Sequence, residues 1–121
     1  MKMDRDSMAL ARIAAQAADD KQGSDIVVLN VGDVLAITEL FVVTSANNAP
    51  QVRTIANEIS ARIREQLGVS PLHSEGVGEQ QWILLDYANV VAHIFLKEKR
   101  DYYGIERLWA DAEFQKIASE Q

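Results

Sequence analysis

The chain has 121 residues, with 12 Lys and Arg against 18 Asp and Glu, which gives a formal net charge of −6. This length predicts a single domain over 1–121, with a core over about 7–112 and a tail over 113–121 that frays or extends the last helix. The absence of cysteine excludes disulfides, thiolate zinc sites and thiol catalysis. The negative charge argues against non-specific coating of nucleic acid, because phosphates repel an acidic protein.

The expected location is the cytoplasm. Residues 1–20 have charges among their alanines and lack an unbroken apolar run, so they do not match the pattern of a signal peptide. No segment approaches the roughly 20 apolar residues that are needed to cross a bilayer. We therefore expect no membrane partner.

The first part of the chain predicts a helix followed by two strands. An alanine-rich stretch over 7–20 has high helix propensity, and Ser7 can cap its free amides. A near-continuous apolar and β-branched run over 25–31 is typical of a strand that is buried on both faces. A second apolar run over 40–46 predicts the next strand.

The second helix has the strongest signals in the chain. Asn47 and Asn48 provide capping side chains, and Pro50 suits the first turn of a helix. Apolar residues then recur at spacings of three and four as far as Leu67, while the other face is polar and charged. Gly68 is placed to end the helix in a left-handed conformation.

The remainder of the chain predicts strands and a last helix. A short strand is expected over 69–75, and two longer strands over 80–87 and 90–98 are joined by the two residues Ala88–Asn89. A short helix is expected around 105–109. The predicted order is α-β-β-α-β-β-β-α, an α/β domain with a mixed sheet of about five strands flanked by helices.

The predicted hairpin has one uniformly apolar face and one mixed face. Side chains alternate along a strand, so Trp82, Leu84 and Asp86 share a face, opposite Ile83 and Leu85. On the neighbouring strand, the mixed face continues with Val91, His93, Phe95 and Lys97. An aromatic side chain among polar groups is typical of an interface hot spot. A second helix layer that covers Trp82 as core is the alternative, and both interpretations stay open.

Signals for catalysis are weak. His73 and His93 have no HxH or HExxH spacing, and we interpret His93 as a hydrogen-bonded sheet histidine or a contact residue. Glu75 and Asp86 are carboxylates that no pattern brings together. There is no GxSxG elbow, P-loop or GxGxxG motif. The residues by themselves therefore offer few candidates for catalysis.

The aromatic and basic residues near the end of the chain have two interpretations. They are Lys97, Lys99, Arg100, Tyr102, Tyr103, Arg107 and Trp109. Such aromatics either pack against the sheet or stack on bases. Acidic residues are interleaved with the basic ones and the whole chain is acidic, so packing is the favoured interpretation.

Several sequence blocks resemble the ribosomal silencing factor family, also called the Iojap family. In chain order they are DIVVLNV, ITELFVVTSA, QVRTIANEI, WILLDYANVVAHIF and RDYYGIERLW. The resemblance runs from about Ser24 to Ala112. Its specific part is W-x-L-x-D-Y followed by V-V-x-H-x-F and Y-x-x-E-R-L-W, which is no generic α/β pattern.

The resemblance implies a function without catalysis. It implies a nucleotidyltransferase-like, catalytically inactive fold that uses no cofactor or metal. It implies binding to the large ribosomal subunit through universal large-subunit protein number fourteen, at the face where the small subunit joins. Bound there, the protein would sterically block subunit joining and lower translation when nutrients are short. The family also implies a possible homodimer and no sequence-specific nucleic acid partner.

The resemblance carries over a set of partner-contact residues. They are Trp82, Leu84, Asp86, His93, Phe95, Tyr103, Glu106 and Trp109. Trp82 would be the apolar anchor, and Asp86 and Glu106 would accept hydrogen bonds from basic side chains. Asp86 could instead cap the hairpin, and Trp109 could be a core residue.

The chain departs from the family pattern at its turns. Ala88–Asn89 stands where Gly-Asp is frequent, Ser45–Asn47 where Gly-Thr-Ser is common, and Glu39–Leu40 where Asp usually precedes an aromatic residue. No D-x-D motif follows Ser45–Asn48, as a working nucleotidyltransferase would require. The alternatives are a degenerate nucleotidyltransferase, which would bind nucleotide and metal, and an accessory protein of ribosome assembly.

Overall fold

A computed structural model describes residues 5–32, 38–104 and 113–116. The elements are α1 (Arg5–Asp20), β1 (Ser24–Asn30), β2 (Leu40–Ala46), α2 (Ala49–Leu67), β3 (His73–Glu75), β4 (Trp82–Asp86), β5 (Val90–Leu96), α3 (Lys97–Tyr103) and β6 (Glu113–Lys116). The predicted order of elements is confirmed as far as β5. Within the described part, every helix is too short or too polar to span a bilayer.

The strands form one mixed sheet, as predicted. Their order is β3-β4-β5-β2-β1-β6. β2 and β5 run parallel, and every other pair of neighbours is antiparallel. A parallel pair needs a long crossover connection, and α2 lies within the segment that connects β2 to β5.

The boundaries of α2 follow from its caps. The Asn48 side chain accepts a hydrogen bond from the Gln51 backbone N–H at 2.8 Å, and Pro50 occupies the first turn. Gly68 adopts φ 73°, and its N–H donates to the Arg64 carbonyl at 2.9 Å. The predicted apolar stripe is the buried one, and comprises Val52, Ile55, Ala56, Ile59 and Ile63.

The sheet separates two apolar clusters. The helix face packs against α1 and α2. Its residues in the strands and the hairpin turn are Ile26, Val28, Leu40, Val42, Ala46, Ile83, Leu85, Tyr87, Val90, Ala92 and Ile94. The aromatic face comprises Val27, Leu29, Val31, Phe41, Val43, Val91 and Phe95, with Trp82 and Leu84 packed against them. The alternation predicted for the hairpin is therefore confirmed, and β1 is buried on both faces as expected.

The segment after β5 differs from the prediction. The strand predicted over 90–98 ends at Leu96, and α3 follows it directly. Gly104 adopts φ 59°, and its N–H donates to the Arg100 carbonyl at 2.8 Å, so it ends a helix. Seven residues are too few for a clear periodicity, which is why α3 was not predicted. The helix predicted around 105–109 lies outside the described residues.

Two further features extend the fold beyond the prediction. The buried Arg100 donates from Nη1 to the Asp25 carbonyl at 2.6 Å and to Ser45 Oγ at 2.7 Å, which ties α3 to β1 and β2. The tail predicted over 113–121 contains β6, which pairs antiparallel with β1. A segment of four residues is too short to show the alternation that predicts a strand. We attribute β6 to the backbone groups at the edge of β1, with which it pairs.

Candidate functional site

Five of the predicted contact residues meet on the hairpin of β4 and β5. The antiparallel register places Trp82 opposite Phe95 and Leu84 opposite His93. Asp86 lies opposite Val91, at the turn end of β4. The two-residue connection is confirmed, because the Tyr87 N–H donates to the Val90 carbonyl at 2.8 Å across it.

Aromatic rings support the Trp82 side chain from below. The centroids of the Trp82 and Phe95 rings are 4.9 Å apart at an interplanar angle of 27°. His93 packs edge-on against Phe41, with centroids 4.6 Å apart. Phe95 is 0% and His93 is 4% exposed, whereas Trp82 is half-buried. Trp82 is therefore the part of this ring cluster that reaches solvent from a fixed base.

His93 also holds the indole of Trp82 through a hydrogen bond. Trp82 Nε1 donates to His93 Nδ1 at 3.1 Å, so Nδ1 is unprotonated. Burial lowers the pKa of His93 to about 3, and the ring stays neutral near pH 7. Its Nε2 is buried and has no hydrogen-bond partner among the described residues. His93 and Phe95 are thus placed to orient Trp82 from beneath the surface.

Asp86 has a local role in the turn. Its Oδ1 accepts a hydrogen bond from the Ala88 N–H at 2.7 Å, so the capping interpretation is confirmed. The side chain remains partly exposed. Glu75 lies opposite Leu84 rather than Asp86, and its carboxylate contacts His73. The structure therefore does not place the two carboxylates opposite each other.

Side chains that typically bind metals are not clustered in the described part of the chain. Within 5–32, 38–104 and 113–116, no three His, Asp or Glu side chains are grouped to hold an ion. His73 lies on the exposed edge strand β3, away from the ring cluster of Trp82. The arrangement on the hairpin offers apolar contact area and hydrogen-bond acceptors.

Three predicted contact residues follow or end α3. Tyr103 is its last residue, and Glu106 and Trp109 lie outside the described residues. Sequence reasoning missed Phe41, which reaches the ring cluster because β2 pairs parallel with β5 and places Phe41 beside Val91. The sequence shows that Phe41 is an aromatic residue in a predicted strand, but it does not show that this strand pairs with β5.

Comparisons with known proteins agree on one family. The family model described as "Ribosomal silencing factor during starvation" matches residues 4–121. A Bacillus subtilis protein named ribosomal silencing factor RsfS is 38% identical over 86% of this chain and 87% of its own length. The chloroplastic protein Iojap of Arabidopsis thaliana is 30% identical over 90% of this chain and 45% of its own length.

Solved structures have the same fold. A crystal structure of a Chromobacterium violaceum protein superposes with a TM-score of 0.83 at 31% identity, covering 89% of this chain and 88% of that one. A Bacillus halodurans protein gives a TM-score of 0.79 at 32% identity, covering 91% and 99% of the two chains. The nucleotidyltransferase-like character of the fold stays a prediction. The chain belongs to the ribosomal silencing factor family, whose role is the regulation of translation at the ribosome.

Proposed function

We propose that this chain binds the large ribosomal subunit through universal large-subunit protein number fourteen and sterically prevents the small subunit from joining. It would lower translation under nutrient limitation, in the cytoplasm, and without turnover of any substrate. The observation that carries this proposal is the half-buried Trp82, fixed on Phe95 and His93 at the surface of the hairpin.

The fixed indole suits a binding anchor. Hot spots are enriched in tryptophan, and an anchor that is already oriented loses little side-chain entropy on binding. The stack on Phe95 and the hydrogen bond to His93 both restrict Trp82 before any partner arrives. Leu84 lies on the same face, two residues along β4, and extends the apolar contact area.

Charge supports a basic partner protein. The chain has a net charge of −6, and Asp86 presents a partly exposed carboxylate on the same face of β4 as the apolar anchor, at the other end of the strand. An acidic surface accelerates docking on a basic surface and weakens contact with bare phosphates. We place Asp86 and Glu106 as acceptors for basic side chains, with Tyr103 and Trp109 completing the contact. Steric blocking of the small subunit needs no catalytic group, because the volume of a bound 13.5 kDa domain is sufficient.

Co-sedimentation with isolated large subunits tests the proposal. The wild-type protein is expected to pellet with large subunits and to reduce the fraction of joined ribosomes after small subunits are added. Trp82→Ala is expected to weaken binding by about 30-fold, the effect of losing a hot spot of roughly 2 kcal/mol. The matched control is Leu67→Ala, at an apolar residue that is 41% exposed at the end of α2, across the sheet from Trp82, and should leave binding unchanged.

A second variant keeps the test decisive if Trp82→Ala fails to fold. Asp86→Asn retains the oxygen that accepts from the Ala88 N–H and removes only the charge, so binding should fall by about tenfold. Wild-type protein that stays in the supernatant at micromolar concentration would refute subunit binding. Protein that pellets without reducing subunit joining would favour the role in ribosome assembly.

Self-association is a separate proposal that rests on the family resemblance. A homodimer would sediment at twice the mass of one chain, and sedimentation velocity of the purified protein measures this directly. A single species at 13.5 kDa across micromolar concentrations would contradict it.

A further inference from the structure

The aromatic face continues beyond β4 onto β3, at the edge of the sheet. The antiparallel register places Glu75 opposite Leu84 and His73 opposite Asp86. Residues that are directly opposite each other on paired strands point to the same side of a sheet, and Leu84 packs on the aromatic face. His73 and Glu75 therefore lie on the face that carries Trp82.

The alternation of side chains along β3 agrees with this assignment. Ser74 lies opposite Leu85, which belongs to the helix face. His73 and Glu75 are two positions apart, and Nε2 of the histidine contacts Oε2 of the glutamate. Side chains two positions apart in a strand lie on the same side of the sheet, so this contact is the expected one. His73 and Glu75 are therefore neighbours of the proposed contact residues on β4.

Leu84 and its charged neighbours form a surface that suits a long basic side chain. Leu84 is half-buried, Glu75 lies directly across from it, and Asp86 lies two residues along β4 on the same face. Arginine and lysine combine an apolar stem with a charged head. The stem can pack on Leu84 while the head donates charge-assisted hydrogen bonds to a carboxylate. The surface therefore offers both of the contacts that such a side chain makes.

The carboxylate of Glu75 is accessible to a partner. The side chains of Glu75 and His73 are 65% and 58% exposed, and a pair at such exposure contributes little to stability, so its exchange for another pair costs little. A basic group from a partner would replace the imidazole, and the bound partner would shield the new pair from water, which strengthens it. An acidic partner, or the phosphates of a nucleic acid, would be repelled. Charge complementarity therefore favours a basic protein surface.

We propose that the contact surface for the partner protein extends from Trp82 across Leu84 to the edge strand β3, where Glu75 binds a basic side chain of that partner. This proposal rests on the proposed function, because it concerns the same face of the sheet and the same ribosomal partner. Trp82 supplies most of the affinity, and Glu75 selects a partner with a basic group at this position. His73 competes with the partner for the carboxylate and is not itself a contact residue.

Titration of the full chain with isolated large subunits, followed by co-sedimentation, tests the proposal. Glu75→Gln is expected to raise the Kd by about threefold to fivefold, the upper range for one exposed charged contact. The matched control is Glu65→Gln, which makes the same change of net charge at an exposed residue of α2, across the sheet, and should leave the Kd unchanged. Added salt should reduce the difference between the two variants, because exposed charges are screened.

His73→Thr separates a contact role of Glu75 from a structural role in β3. Threonine suits a strand and lacks the imidazole, so both His73→Thr and Glu75→Gln break the pair, but only Glu75→Gln removes the carboxylate. His73→Thr should bind at least as tightly as the wild type, because the competitor for Glu75 is gone. Equal weakening by both variants, or equal Kd values for Glu75→Gln and Glu65→Gln, would overturn this proposal while binding of the wild type upheld the proposed function. Wild-type protein that does not bind large subunits would refute both.

Discussion

The helix face and the aromatic face belong to one sheet, but they are built from different side chains. On the helix face, Ile55, Ile59 and Ile94 are fully buried aliphatic residues that interdigitate between sheet and helices. On the aromatic face, buried rings support a half-buried indole through stacking and one hydrogen bond. Aliphatic packing is non-directional, whereas ring contacts and a hydrogen bond fix an orientation.

We infer that the helix face contributes mainly to stability and that the aromatic face mainly orients Trp82. Loss of volume from the helix face should reduce stability, since a cavity would remain in a closed core. Changes around Trp82 should cost less stability and act mainly on the orientation of the surface anchor. The following predictions test that division, from the largest expected effect to the smallest.

Ile59→Ala on the helix face should lower the free energy of unfolding by about 2 to 5 kcal/mol, because Ile59 is 0% exposed and its loss leaves a cavity. Urea denaturation measures this change. Val77→Ala, at an exposed position, should change the free energy by less than about 0.5 kcal/mol. A cost below about 1 kcal/mol for Ile59→Ala would show that this face can collapse around the cavity.

On the aromatic face, acid should destabilise the protein through His93. Burial lowers the pKa of His93 from 6.5 to about 3, so the unfolded chain takes up a proton before the folded one as the pH falls. Stability is therefore lost from about pH 6.5 downwards, by about 2 kcal/mol between pH 7 and pH 5. Urea denaturation at several pH values measures this loss.

His93→Gln is the control for that pH dependence. Glutamine does not titrate, and its side-chain oxygen can accept the hydrogen bond from Trp82 Nε1. The free energy of unfolding of the variant should depend less on pH between 5 and 7 than that of the wild type. Equal slopes for the two proteins would assign the acid sensitivity to carboxylates instead.

Trp82→Phe isolates the hydrogen bond from the stack. Phenylalanine keeps a ring against Phe95 and removes the indole N–H, which leaves His93 Nδ1 without its donor. The free energy of unfolding should fall by about 1 to 2 kcal/mol, as for a buried acceptor that loses its partner. Combination with His93→Leu, which removes the acceptor of this hydrogen bond, in a double-mutant cycle measures the coupling, and a coupling of zero would contradict the orienting role of His93.

Ala88→Gly should have the smallest effect, at the turn that sets which residues of β4 and β5 share a face. Ala88 adopts φ 75°, a left-handed conformation that costs a residue with a Cβ roughly 1 to 2 kcal/mol. Relief of this strain exceeds the entropy cost of glycine, so stability should rise by about 0.5 kcal/mol. Ala61→Gly, on the exposed face of α2, should instead lower stability by about 1 kcal/mol.

Local signals explain why so much of the chain was predictable. Asn48 and Gly68 determine where α2 begins and ends through hydrogen bonds within a few residues of each, and Pro50 favours the first turn because its ring fixes φ at a helical value. Alternation along β4 and β5 assigned Trp82 to one face and Ile83 to the other, because successive side chains of a strand point in opposite directions. These features depend on neighbours in sequence.

The features that were missed depend on neighbours in space. The aromatic contact of Phe41 required the parallel pairing of β2 with β5, and β6 required the open edge of β1. The hydrogen bonds of Arg100 required α3 to meet β1 and β2.

The sequence by itself determined the family, the order of elements as far as β5 and the face on which each hairpin residue lies. Only the tertiary structure decided that Trp82 is half-buried and that His93 lies beneath it as a neutral acceptor. The physical reason is that periodicity and caps are local, whereas burial depends on which distant strands and helices a side chain meets after folding.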